Sequence, residues 1–66
     1  MKLRLKEQRE KAHMDQLTLS KKSGVGRITI SRLETGTQTN VMVGTLVMLS
    51  DALGCSVSDL LDFDAS

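Results

Sequence analysis

Residues 16–36 read QLTLSKKSGVGRITISRLETG, and the fold turns on this stretch. Its apolar spacing describes two short amphipathic helices with a glycine between them, the layout of a helix-turn-helix. The first helix is expected from Gln16 to about Ser23, with Leu19 and Ser20 turned inward. Gly24 ends it, because a glycine just past a helix end takes the left-handed conformation without a Cβ clash. Val25 is apolar within the turn and plugs the angle between the helices, leaving Gly26 as N-cap of the second. That helix should run from Arg27 to about Thr35 and stop at Gly36.

Residues set 100° apart put Ile30 and Leu33 on one side of the second helix, and Ile28, Ser31, Arg32 and Thr35 on the other. Arg27 lies between the faces at the N-terminal end. A helix of this length needs Ile30 and Leu33 for its core and has no structural use for an isoleucine opposite them. An outward face of Ile, Ser and two Arg suits the DNA major groove. There Arg pairs bidentately with guanine, Ser bonds several bases, and Ile meets a thymine methyl. The competing reading makes Ile28 an ordinary exposed apolar residue and the arginines solubilising charges.

The same stretch resembles the DNA-binding domain of the phage-repressor and Cro superfamily of bacterial regulators, whose motif runs T-Q-x-x-L-A-x-x-S-G-V-S-x-x-x-I-S-x-x-E-N-G. Gln16, Leu19, Ser23, Gly24, Val25, Ile30, Ser31, Glu34 and Gly36 match it. Asp15, Ser20, Gly26 and Thr35 depart from it, each with a small or cap-compatible residue. The resemblance extends over roughly residues 3–61. It implies an all-α, five-helix bundle, lambda-repressor-like, occupying residues 1–66 as one domain.

The 66 residues carry a net charge of only +1, but the charge is segregated. All nine Lys and Arg lie at or before Arg32, against four acids, for +5 up to Gly36; the remainder holds Asp51, Asp59, Asp62 and Asp64, for −4. Such polarity turns one end toward a polyanion and keeps the other away from it. A domain this short buries only ~60% of its unfolded surface, which leaves little room for a large active-site cleft. No apolar run approaches the ~18 to 20 residues of a membrane span. The charged N-terminus lacks the apolar centre of a signal peptide, so the expected setting is cytoplasmic. Cys55 cannot form an internal disulfide and is expected as a buried thiol. One His and one Cys do not make a metal site. No cofactor is expected.

The first helix is expected over 3–12, with Leu5, Arg9 and Ala12 on one face. Gln8 departs from the apolar residue usual in relatives and weakens that face. His13 stands where relatives often carry Gly, and a left-handed turn suits both. Asp15 precedes the next helix and is expected as its N-cap. A fourth helix is expected from Val43 to Leu53, ended by Gly54, with Val43, Leu46, Leu49 and Leu53 inward and Ser50 small between them. Ser56 and Asp59 then form a capping box, S-V-S-D, opening a fifth helix. Val57, Leu60 and Leu61 close the core.

Several roles follow from the resemblance alone. In relatives the counterparts of Arg9 and Glu34 form a partly buried ion pair. The counterpart of Gln16 bonds a DNA phosphate at a helix N-terminus. The counterpart of the loop TQTN, 37–40, runs along the DNA backbone. Base contacts are expected from Arg27, Ile28, Ser31 and Arg32, on the outward face of the second helix of the motif together with the motif match. Phosphate contacts are expected from Gln16, Lys21, Lys22, Thr35, Thr37, Thr39 and Asn40.

Met48 falls opposite the expected core face of the fourth helix, flanked by Val41, Thr45 and Ala52. Relatives commonly carry a charge at Met48 and a proline or small polar residue near Val41 and Met42. An apolar outer face in so short a chain points to a homodimer through Val41, Met48 and Ala52, with Phe63 as a further contact. The expected function is sequence-specific binding of a palindromic double-stranded operator by a prokaryotic or phage regulator. With no sensor domain in view, simple repression is the expected mechanism. Two rivals stay open: an antitoxin that binds operator and toxin, and a protein-interaction module whose recognition face is idle. Enzyme signatures are absent. Gly24-Val25-Gly26 begins like a nucleotide loop, but Thr29 occupies the place of its third glycine.

Overall fold

The computed structural model describes residues 2–38 and 40–62, with the side chains of Lys2 and Asp62 left aside. In chain order these form β1 (Lys2–Leu3), α1 (Leu5–Lys11), α2 (Gln16–Ser23), α3 (Arg27–Thr35), α4 (Val43–Leu53), a 3-10 turn (Val57–Leu60) and β2 (Leu61–Asp62). Leu5, Leu19, Val25, Ile30, Leu33, Leu46, Leu49 and Leu60 make one buried core to which every helix contributes. The expected bounds of α2, α3 and α4 hold. Gly24, Gly36 and Gly54 close these helices at φ of 78°, 81° and 71°, a region costly to residues with a Cβ.

Two corrections concern the ends of the chain. The expected first helix begins later, because Lys2 and Leu3 pair antiparallel with Asp62 and Leu61. The expected fifth helix is a single 3-10 turn, giving four α-helices among the described residues rather than five. Its capping box is present nonetheless: the Asp59 amide donates to Ser56 Oγ at 3.3 Å and the Ser56 amide to Asp59 Oδ2 at 3.1 Å. The Arg4 amide also donates to the Leu60 carbonyl, at 2.8 Å, so the chain ends are bound together by backbone.

α4 needs a third correction. Its core-facing residues are Leu46, Leu49 and Ser50, with Leu53 partly covered, whereas Val43 is 72% exposed. Val43 stands in the first turn of the helix, and Val41 from the preceding loop packs against the core there. Ser50 is tolerated inside because its hydroxyl donates to the Val47 carbonyl at 2.9 Å, which satisfies the buried polar group.

The departures at Gln8 and His13 are accommodated locally. Gln8 is half-buried and donates through Nε2 to the Asp59 carbonyl at 3.4 Å. His13 takes φ 57°, the left-handed turn expected of it. Cys55 is free and partly covered, and burial pushes its thiol pKa up. That disfavours the reactive thiolate.

Candidate nucleic-acid interface

α2 starts at a made cap: Asp15 Oδ1 accepts from the Thr18 amide at 2.7 Å. This bond, then the Thr18 side chain, then the charges of Arg27 and Arg9 hold the Asp15 carboxyl below the usual aspartate range. The Arg27 charge therefore bears on the N-terminus of α2, where anions are already favoured by unpaired amides.

The turn is bound from inside. Ser20 Oγ donates to the Val25 carbonyl at 2.7 Å, and the Val25 amide donates to Ser23 Oγ at 3.1 Å. Ser20, one of the departures from the motif, thus adds a bond that an alanine could not make. With Val25 buried beneath it, the turn sets α3 against α2.

α3 is divided as its spacing requires. Ile30 and Leu33 are 0% and 3% exposed, while Ile28 is 69% exposed. Arg27 and Arg32 are exposed beside it and Ser31 is partly so. Lys21 and Lys22 are exposed at the end of α2. Thr35, Thr37 and Asn40 are exposed beyond them; Thr39 lies outside the described residues. Thr35 and Thr37 share a hydroxyl hydrogen bond at 3.0 Å, and the Gln38 amide donates to the Arg32 carbonyl at 3.2 Å. These bonds fix how the chain leaves α3.

Beneath the surface, Arg9 Nε donates to Glu34 Oε2 at 2.8 Å and Arg9 Nη2 to Glu34 Oε1 at 3.1 Å. Their side chains are 12% and 3% exposed. The hydrogen bond to Glu34, then its charge, raises the Arg9 pKa against the cost of burial. Arg9 Nη1 also donates to the Met14 carbonyl at 2.8 Å, tying the α1–α2 loop to the pair. Gln16 is not a lone surface amide, for its Nε2 donates to Glu34 Oε1 at 3.2 Å.

The helix-turn-helix family matches residues 5–60. The fold also superposes on the N-terminal DNA binding domain of SinR from Bacillus subtilis with a TM-score of 0.85 at 32% identity, covering 96% of this chain and 91% of that one. The chain belongs to the helix-turn-helix family, in its phage-repressor and Cro branch. No curated protein matches it. Sequence-specific DNA binding in transcriptional regulation is the function that membership carries, and such domains are not catalytic. Within this helix-turn-helix domain, the described residues hold no helix long and apolar enough to cross a membrane and no group of His, Cys, Asp and Glu suited to a metal ion.

The expected dimer-interface residues are divided by the fold. Val41 and Ala52 pack against the core, while Met48 is 43% exposed and reaches the α2–α3 turn, its Cε 3.6 Å from where a Cβ on Gly24 would stand. Phe63 lies outside the described residues. Met42 adds to the outward apolar surface, as do Val43 and Val47, which the sequence pattern did not single out as exposed. Helical spacing alone could not show this at Val43, which lies seven residues before Ser50 on the same face and is exposed because it opens the helix.

Proposed function

We propose that the domain acts as a cytoplasmic repressor that occupies a palindromic operator as a homodimer, with α3 in the major groove. The observation that carries the readout is the asymmetry of α3, which buries Ile30 and Leu33 and leaves Ile28 exposed among Arg27, Ser31 and Arg32. In this reading the two arginines and Ser31 bond base edges and Ile28 meets a thymine methyl. Gln16, Lys21, Lys22, Thr35, Thr37, Thr39 and Asn40 hold phosphates and set the register. No Lys or Arg stands in 37–40, so the salt dependence rests on Lys21, Lys22, Arg27 and Arg32 and is modest.

The exposed apolar surface of α4 supports pairing of two copies, with Met48 central and Met42, Val43 and Val47 beside it. A two-fold pair would set recognition helices ~34 Å apart, one turn of DNA. Selection of bound sites from a random duplex library tests the whole reading. It should return a palindrome, and recovery of unrelated sequences would refute specific binding.

A further inference from the structure

The two helices of the motif diverge from the Gly24 turn, so their open ends are the start of α2 and the end of α3. Gln16 is the first residue of α2 and Glu34 the last but one of α3. The Gln16–Glu34 hydrogen bond, at 3.2 Å, therefore spans the open end, while the Ser20–Val25 bond holds the closed end. Glu34 is itself anchored by two bonds from Arg9 of α1. All three helices meet at one carboxylate.

A primary amide has two N–H donors and a carbonyl oxygen. One donor of Gln16 goes to Glu34, which leaves the other for a phosphate without breaking the bridge. We propose that Gln16 is a positioning residue for base reading. By clamping the open end of the motif to Glu34, it sets the angle at which α3 meets the bases, so that phosphate and base contacts belong to one rigid frame. This rests on α3 being the reading helix. It alters what the motif resemblance implies for Gln16, since a residue that only holds phosphate carries no sequence information.

The test compares affinity for the duplex selected from a random library with affinity for a scrambled duplex of equal composition. Gln16→Met keeps the length of the side chain and leaves Arg9 and Glu34 paired. It should lower the ratio of selected to scrambled affinity on the order of tenfold, the scale of a hydrogen bond to a charged group. Lys22→Met should weaken both duplexes alike and leave the ratio in place. Gln16→Lys, which can donate to Glu34 and to phosphate, should restore most of the ratio, and it serves equally if the Met variant does not fold. An equal loss on both duplexes in Gln16→Met, or a Gln16→Lys ratio no better than that of Met, would overturn the positioning role. A wild-type protein that does not distinguish the duplexes would remove the α3 reading itself.

Discussion

Arg9 and Glu34, 25 residues apart in sequence, meet in a two-bond fork of 2.8 and 3.1 Å that joins α1 to the end of α3. Both side chains are largely covered, so the pair fastens α3 to the body of the domain. Arg9→Ala and Glu34→Ala should each cost on the order of 3 kcal/mol, the lower part of the range for breaking a covered pair. Because they share one interaction, the double variant should lose little more than either single one. Additive losses in a thermal-melt cycle would show that the two side chains do not stabilise the fold through each other.

Arg32→Ala should lose ~1 to 3 kcal/mol at one base pair and relax the preference there, as for a guanine contact. Repeating the site selection with the variant checks this. An unchanged motif would take Arg32 out of the base-reading set.

The pH dependence has a definite sign. Asp15 and Asp59 are held below the usual aspartate range by the amides and side chains of Thr18 and Ser56 respectively. A depressed folded-state pKa adds stability above the unfolded value, and that stability is lost as pH falls through the folded one. The domain should therefore lose stability on acidification below about pH 4, and Asp15→Asn should flatten part of that limb. Melting temperatures measured from pH 7 down to pH 2 decide the point, an unchanged acid limb in Asp15→Asn counting against the cap.

Met48→Glu should shift a dimer toward monomer and weaken operator binding, and Val47→Glu should do the same from the adjacent position. Sedimentation at micromolar concentration reads this directly. A monomeric wild type, or a dimer indifferent to both substitutions, would exclude α4 as the interface.

Much of this architecture was legible because glycine punctuates it. Gly24, Gly36 and Gly54 each mark a helix end by a backbone conformation that other residues avoid, and the bounds of α2, α3 and α4 followed. Two-residue strands leave no periodic trace, so the pairing of Lys2–Leu3 with Leu61–Asp62 could not be read. The box of Ser56 and Asp59 marked where a helical turn starts without saying that it lasts only for Val57–Leu60. At Val43, apolar character outweighed position: it shares a face with Ser50, which is buried as expected, but it stands first in α4 and is exposed. For the site, the outward Ile28 was visible as an apolar residue without a core to join. The bond from Gln16 to Glu34 joins side chains 18 residues apart on separate helices, and no local pattern encodes it.

The reading of DNA by the outer face of α3 is most directly tested by following backbone amide resonances while the selected duplex is added. The largest shifts should gather at Arg27, Ile28, Ser31 and Arg32 and at the start of α2, with Val57–Leu60 nearly unmoved. Shifts concentrated on α1 or α4, with α3 silent, would contradict it.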